Sequence, residues 1–209
     1  MITPSKEFWK IFKKTNGALS CAEALAIMNL ASLAPKGYWL ELGVYHGKSA
    51  MAAANGGICI CFILVDPIFN DADIDILEGI KKAVNYDIGL LPYDDYSINM
   101  LPKTTEVFSY VMVDSGSHQD GIPMQEVKLL EDRIIKDGVI AFHDFRSQFI
   151  EVEEAYNYLL GTGKYEEIII NWKEITDYVD ENNLEDGTNK SWHHTELKNP
   201  CFVGALRRK

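Results

Sequence analysis

The chain has 209 residues, enough for one medium-sized domain that buries a large core without disulfides or a structural metal. Its formal net charge of -11 argues against nucleic acid as the main partner, because phosphate binding requires a clustered basic surface. The four cysteines form no C-x-x-C pair, and no apolar run approaches the roughly 18 residues of a membrane span. With no signal-peptide pattern at the N-terminus, we expect a cytoplasmic protein that binds no membrane.

The predicted elements begin with two helices in residues 1–35. Ser20 and Glu23 have the spacing of a capping box, and apolar residues then recur at helical spacing until Pro35. From residue 38 onward, short apolar runs alternate with helical patterns. Strands are predicted at residues 38–42, 58–65, 88–91, 108–113, 139–142, 165–172 and 201–206, and helices at residues 48–55, 74–86, 124–136 and 147–160.

This alternation predicts the α/β class: a doubly wound, mostly parallel seven-stranded sheet with helices on both faces. No helix-length apolar pattern separates the last two predicted strands, so we expect a closing hairpin with an antiparallel last strand. Its loop carries Trp192, His193 and His194, and these histidines line the acceptor pocket, bind a metal or are solvated. We expect a single domain over residues 1–209, in which residues 1–35 form a lid, a homodimer contact or a packing segment.

The first predicted strand runs into a glycine-containing turn with the sequence ELGVYHGKS at residues 41–49. Gly43 and Gly47 permit a tight turn, and the helix that follows offers free N–H groups to an anion. Tyr45 stands where the G-x-G-x-x-G motif of dinucleotide sites has its middle glycine, so it would obstruct a pyrophosphate. A ligand with a small carboxylate fits better, and an ordinary strand–helix turn is the alternative.

Acidic residues and histidines follow three other predicted strands, at the edge of the sheet where doubly wound folds bind ligands. Asp66 follows the second strand, where an acidic residue either accepts the hydroxyls of a ribose or caps a helix or loop. The fourth strand leads to Asp114 and His118, and the fifth leads to His143 and Asp144. Such oxygen ligands suit Mg²⁺ or a similar hard cation, and a histidine can act as a general base near neutral pH.

These residues resemble those of class I S-adenosylmethionine-dependent methyltransferases, in particular the branch of macrocin-type O-methyltransferases and cephalosporin-hydroxylase-like proteins. The shared features are an E-x-G-x-x-x-G-x-S turn, an aspartate after the second strand, an apolar strand into D-G-x-H and a strand into H-D-[YF]. They extend over about residues 38–145 and imply a Rossmann-like core over residues 36–209. One departure is that the D-G-x-H pattern is occupied by residues 114–117, so His118 falls one place late.

The resemblance also implies roles for individual residues. The turn would wrap the methionine part of S-adenosylmethionine, with Glu41 at its ammonium group, Asp66 on the ribose and Ser97 facing the adenine. The implied ligands of Mg²⁺ or another divalent cation are Asp114, Asp144 and His143. The implied catalytic set is His143, His118 and Asp144, in which either histidine removes the proton of the acceptor. The full cofactor-binding set is Glu41, Gly43, Tyr45, Gly47, Ser49, Asp66, Ser97 and Asp114.

The implied activity is methyl transfer to a hydroxyl of a small molecule or sugar, by in-line attack of the acceptor oxygen on the sulfonium methyl. A nitrogen acceptor is also compatible with the sequence. A nicotinamide-dependent oxidoreductase shares the strand–turn–helix and the acidic residue, but it is disfavoured by Tyr45 and by the closing strand pair. A non-catalytic cofactor-binding or assembly module of the same fold is a third interpretation, which the shifted His118 favours.

Overall fold

The structure is a computed structural model, and it describes residues 1–17, 19–67, 74–84, 86–116, 118, 120–184 and 203–209. Within these residues the strands are β1 (Gly37–Leu42), β2 (Cys59–Val65), β3 (Gly89–Tyr93), β4 (Phe108–Val113), β5 (Ile134–Phe142), β6 (Tyr165–Glu167) and β7 (Gly204–Arg208). The α-helices are α1 (Lys6–Lys14), α2 (Cys21–Leu33), α3 (Lys48–Gly56), α4 (Ile74–Ala83), α5 (Ser97–Met100), α6 (Ile122–Leu130), α7 (Ile150–Gly161) and α8 (Trp172–Glu181).

All seven strands form one sheet in the order β3-β2-β1-β4-β5-β7-β6. The strands β1 to β5 pair in parallel, whereas β7 runs antiparallel to both β5 and β6. The strand order reverses between β1 and β4, and in such sheets ligands bind beyond the carboxyl ends of the strands at this point. The predicted doubly wound sheet with an antiparallel last strand is confirmed, and its order is that of the class I methyltransferase fold.

Hydrophobic clusters cover both faces of the sheet. Trp39 of β1 packs on the face that carries α1, α2 and α3, whereas its neighbour Leu40 packs on the face that carries α6 and α7. This alternation follows from the two-residue period of a strand. Burial on both faces explains why all six residues of β4 are apolar or small and fully covered. No helix in the described part of the chain is both long and apolar enough to cross a bilayer.

The N-terminal helices pack against the sheet and against α3. Three aromatic side chains of α1 are buried, and α2 is buried along most of its length. The predicted capping box is confirmed: the Glu23 amide donates to Ser20 Oγ (3.2 Å), and the Ser20 amide donates to Glu23 Oε2 (2.8 Å). Gly56 allows the close approach of α3 to α2, because a Cβ there would lie 2.1 Å from the carbonyl oxygen of Met28. The buried apolar side chains of both N-terminal helices thus belong to the core on this face of the sheet.

The prediction of a simple closing hairpin is wrong. The last two strands are antiparallel neighbours, but α8 lies between them in the chain, and the strand predicted at residues 165–172 ends at Glu167. The sequence of α8, WKEITDYVDE, is strongly charged, and only Ile175 and Val179 are buried, so its apolar stripe is too sparse to be recognised as helical periodicity. The predicted loop residues Trp192, His193 and His194 lie outside the described residues, as do residues 201–202 of the predicted last strand.

The helix predicted at residues 124–136 is too long. It ends at Leu130, and residues 134–136 already belong to β5. The register of β4 and β5 shifts between Phe108 and Tyr110, and Asp137 within β5 has a φ of 62°. This irregularity divides β5, so that only its second half has the uninterrupted apolar pattern of a buried strand.

Candidate functional site

Two adjoining cavities open at the carboxyl ends of β1, β2 and β4. The first, which we call the turn cavity, has a volume of about 480 Å³ and contacts the segment after β1 and the ends of β4 and β5. The second, which we call the serine cavity, has a volume of about 520 Å³ and is bordered by Ser97 and Ser115. Gly43, Pro67 and Gly116 line both cavities, so the two cavities adjoin at these residues, and we call them together the cleft.

The turn after β1 depends on its two glycines. Gly43 has a φ of +83°, and a Cβ there would lie 2.0 Å from the carbonyl oxygen of Asp114. Gly47 has a φ of +72° and occupies the N-cap position of α3. Between them, Tyr45 has a φ of 46°, a value that is uncommon for a residue other than glycine, and its ring is exposed and packs on His46. The first turn of α3 therefore begins at the wall of the turn cavity.

Asp66 holds this turn in place. Its Oδ2 accepts hydrogen bonds from the amides of Val44 (2.8 Å) and Tyr45 (2.7 Å), and its side chain lines the turn cavity. Of the two roles that the sequence left open, the loop-capping role is thus present in the structure. A carboxylate that fixes two amides of the turn also stays at the cavity wall, where a ligand hydroxyl can reach it.

Glu41 lies beneath the turn and is fully buried. Its Oε1 accepts a hydrogen bond from Ser49 Oγ (2.6 Å), and Ser49 in turn lines the turn cavity. Its Oε2 has no hydrogen-bond partner among the described residues. Burial raises the pKa of Glu41 to about 8, although the Ser49 hydrogen bond lowers it. Glu41 therefore supports the cavity wall through Ser49 and does not itself reach the cavity surface.

Replacing Glu41 by glutamine is expected to change how the stability of the unliganded protein depends on pH. In the folded state Glu41 keeps its proton up to about pH 8, whereas in the unfolded state it loses that proton above its ordinary pKa of 4.5. Because the folded state binds the extra proton between these two values, the free energy of unfolding decreases as the pH rises from 4.5 to about 8. The decrease approaches about 1.4 kcal/mol per pH unit from this group. Glu41→Gln should remove that slope, as measured by urea unfolding at pH 5.5 and pH 8.

The exposed Glu166, replaced by glutamine, serves as the control and should retain the wild-type slope. A Glu41→Gln protein whose unfolding free energy still decreases with pH as in the wild type would show that Glu41 is ionised in the folded state.

The serine cavity is built on a buried carboxylate that the sequence analysis did not find. Ser97 Oγ donates to Glu126 Oε1, and Ser115 Oγ donates to Glu126 Oε2 (2.9 Å). Glu126 is fully buried, and burial raises its pKa to about 7 against the lowering effect of the two serine hydrogen bonds. The available signal was its position in α6, where it shares the buried stripe with Pro123, Val127 and Leu130. A carboxylate in an apolar stripe indicates a specific partner.

The structure brings the four acid and histidine residues after β4 and β5 together at the turn cavity. His118 Nε2 lies 3.0 Å from Asp144 Oδ2 and 3.6 Å from Asp114 Oδ1. His143 Nδ1 lies 3.3 Å from Asp114 Oδ1 and 3.4 Å from Asp144 Oδ2. His118 (φ 29°) and Asp144 (φ 56°) adopt backbone conformations that are uncommon for such residues and that cluster at functional sites. The unusual turn lets His118 reach the cleft despite its late position.

The charges of this cluster shift the pKa values of its members. Burial lowers the pKa of His118, but its hydrogen bond to Asp144 and the charge of Asp114 outweigh that effect, so the net shift is upward. The pKa of His143 is raised well above its usual value for similar reasons, again against burial. Burial raises the pKa of Asp144, but the two histidines more than reverse this and hold it well below its usual range. The cluster thus favours positive charge between its carboxylates.

A second residue that the sequence analysis missed is Glu23 of α2. Its Oε1 lies 3.5 Å from Nε2 of His143, on the side of the ring opposite Asp114 and Asp144. The capping-box spacing predicts that Glu23 lies at the start of a helix. The sequence around Glu23 gives no sign of its contact with His143, which lies 120 residues further along the chain. Through Glu23 and through residues 16, 17 and 19, which line the turn cavity, the N-terminal segment contributes to the site.

The cluster fits a divalent cation. Asp114, His143 and Asp144 each offer a ligand atom, and these atoms all lie within 4.8 Å of one another. Neighbouring ligands of one octahedral ion are about 3 Å apart, close to the separations from His143 Nδ1. Neither ring nitrogen of His143 makes a hydrogen bond of good geometry with another described residue, although both lie within ion-pair distance of carboxylates. The donor set, and an imidazole whose two nitrogens are buried, are both compatible with a metal-ligand role.

Comparisons with known proteins support the fold. No protein-family model matches the sequence, and no curated protein matches it either. Among solved structures, similar folds occur in an O-methyltransferase from Bacillus cereus in complex with S-adenosylhomocysteine (TM-score 0.61, 11% identity, covering 100% of this chain and 94% of that one). Another is an S-adenosylhomocysteine-bound methyltransferase from Podospora anserina (TM-score 0.57, 15% identity, covering 97% and 86%).

A precorrin-8w decarboxylase from Methanobacterium thermoautotrophicum has the same fold as well (TM-score 0.56, 15% identity, covering 100% of both chains). Identities this low show a shared fold and do not decide the reaction. The reaction depends on the residues of the cleft and not on the fold.

Proposed function

We propose that the protein is an S-adenosylmethionine-dependent methyltransferase that binds its cofactor across the turn cavity and the serine cavity. The observation that carries the proposal is that the two cavities adjoin at Gly43 and Gly116, at the switch point of the sheet. An extended ligand with an amino-acid end and a nucleoside end matches such a cleft. Tyr45 in the turn makes it less suitable for the pyrophosphate of a dinucleotide.

The residues of the cleft suggest how the cofactor would be oriented. The N-terminus of α3 at Gly47 offers amides to the carboxylate of the methionine part. Asp66, which lines the turn cavity, would accept a ribose hydroxyl while it holds the turn. Ser97 and Ser115 border the serine cavity, where the adenine would lie. This orientation brings the sulfonium methyl towards the cluster of acids and histidines after β4 and β5.

A divalent cation such as Mg²⁺ would be held by Asp114, Asp144 and His143, and when bound it would lower the pKa of an acceptor hydroxyl. The remaining chemistry is positioning, because the methyl group is already activated on sulfur. The acceptor oxygen bonds to the methyl carbon as the carbon–sulfur bond breaks, and the electron pair of that bond stays on sulfur. His118 or His143 would receive the hydroxyl proton, and each could do so only in its neutral form, because its raised pKa favours the protonated form while no cation is bound.

The acceptor that we propose is a hydroxyl of a small molecule or a sugar, as in the macrocin-type branch. The turn cavity, at about 480 Å³, must hold both the methionine part and the acceptor, which favours a small molecule. The net charge of -11 also disfavours a nucleic-acid acceptor.

Titration calorimetry with S-adenosylhomocysteine and with NADH tests the proposal. We expect S-adenosylhomocysteine to bind and NADH not to bind. Asp66→Ala should weaken S-adenosylhomocysteine binding at least about tenfold, because two turn amides lose their acceptor and the ribose loses its carboxylate. The control Asp177→Ala, on the exposed side of α8, should bind like the wild type. A wild-type protein that binds NADH, or that does not bind S-adenosylhomocysteine, would overturn the assignment.

A further inference from the structure

Glu126 controls which hydrogen-bonding groups the serine cavity can offer a ligand. We propose that the Glu126 carboxylate, by accepting the protons of Ser97 and Ser115, makes this cavity selective for a purine with a 6-amino group over one with a 6-oxo group. The inference rests on the proposed function, in that it assumes the nucleoside end of the cofactor lies in this cavity.

The hydroxyl protons of Ser97 and Ser115 are both used by the Glu126 carboxylate. An ionised carboxylate only accepts hydrogen bonds, and each serine hydroxyl has a single proton to donate. Both serine protons are directed at Glu126, one to each carboxylate oxygen. The lone pairs of the two serine oxygens are what remains for a ligand, so these hydroxyls can only accept.

Other polar side chains also line the wall of the serine cavity. The side-chain amide nitrogen of Asn99 donates to Asp95 Oδ1 (3.1 Å). Asp120, which also lines the cavity, carries a carboxylate, and this too is an acceptor. Tyr96 and Asn99 also border the cavity, and the Tyr96 hydroxyl and the second amide proton of Asn99 can donate, but Tyr96 is 63% exposed. At the buried part of the wall, the side-chain groups that face the cavity are the acceptor oxygens of Ser97 and Ser115. They complement the amino group of adenine, which donates, and they oppose the 6-oxo group of hypoxanthine, which accepts.

Burial holds Glu126 and its two serine partners in a fixed arrangement. Glu126 is fully buried in the stripe of α6 that faces the core, and Ser97 and Ser115 are each less than a tenth exposed. Water therefore has little access to satisfy a mismatched ligand group. A buried site that pairs with a ligand polar group rejects an analogue of opposite polarity much more strongly than an exposed site does.

The experiment measures a ratio of affinities. S-adenosylhomocysteine and its deaminated analogue, S-inosylhomocysteine, are titrated calorimetrically into the 209-residue chain at pH 8.5, above the pKa of about 7 of Glu126. The wild type should bind the amino compound at least about tenfold more tightly. In Glu126→Gln, the amide donates to one serine, whose own proton can then turn to the cavity, so the ratio should fall towards one.

Ser97→Ala and Ser115→Ala should also reduce the ratio, and they keep the proposal testable if Glu126→Gln does not fold. Glu166→Gln is the control and should keep the wild-type ratio. A general structural defect would weaken both compounds together and leave the ratio unchanged. An unchanged ratio in all three cavity variants, or equal binding of both compounds by the wild type, would overturn the inference. Failure of the wild type to bind either compound would instead contradict the proposed function.

Discussion

Gly43→Ala is expected to abolish detectable S-adenosylhomocysteine binding and to lower the thermal unfolding midpoint by about 2–12 °C. A Cβ at this position would lie 2.0 Å from a main-chain oxygen, and the φ of +83° is strained for any residue with a side chain. Such strain costs about 1–3 kcal/mol, and each kcal/mol shifts the midpoint of a domain this size by about 2–4 °C. The end of β4 must move, and Gly43 lines both cavities.

The matched control is Gly161→Ala at the end of α7, where an added Cβ meets nothing within 4 Å. Its unfolding midpoint and its affinity for S-adenosylhomocysteine should both stay close to those of the wild type. Calorimetry and thermal scanning of the two variants side by side check the prediction. Wild-type affinity in Gly43→Ala would mean that the ligand does not use the turn.

Asp144→Asn is expected to weaken Mn²⁺ binding by about 100-fold or more and to abolish methyl transfer. Mn²⁺ is a hard cation that prefers oxygen ligands and can stand in for Mg²⁺ as a probe. The substitution removes one carboxylate ligand and the negative charge nearest to His118. Loss of an outer-sphere partner already costs 10–100-fold in metal affinity, so loss of a direct ligand should cost at least as much. Calorimetric titration with Mn²⁺ measures the effect without any assumed acceptor.

Asp132→Asn removes the same formal charge at a site that is 71% exposed, and it should leave Mn²⁺ affinity unchanged. If Asp144→Asn binds Mn²⁺ as tightly as the wild type does, the ion is held elsewhere. If the wild-type protein binds S-adenosylhomocysteine but not Mn²⁺, the proposal loses its metal ion. Protonated His143 would then be the positive group that neutralises the charges of Asp114 and Asp144.

Much of the fold could be predicted from the sequence because its signals are local. The short apolar runs of β1 and β4 each identify a strand without reference to its neighbours. Gly43 and Gly47 mark a turn that only residues without a side chain adopt easily. The failure at α8 has the same origin, since a helix with two buried residues has too weak a local pattern to be distinguished from the strand predicted before it.

The same reasoning found the candidate residues that directly follow strands. The carboxyl ends of β2, β4 and β5 are followed by Asp66, Asp114, His143 and Asp144. In a parallel sheet, the carboxyl ends of the strands lie at one edge. Glu23 and Glu126 lie on helices, and their partners come from distant parts of the chain. Their sequence neighbours explain a helix start and a buried stripe, but not which side chains they meet.

The amino-acid sequence by itself therefore determined the class of the fold and the alternation of strands and helices along the chain, which makes the sheet mostly parallel. It also indicated the edge of the sheet where ligands would bind. Periodicity, glycine positions and helix caps are properties of short segments, and these suffice for that level. Only the tertiary structure decided that Glu126 takes the protons of two serines and that Glu23 faces the far side of His143. Those contacts join different elements, and their geometry follows from how the helices pack on the sheet.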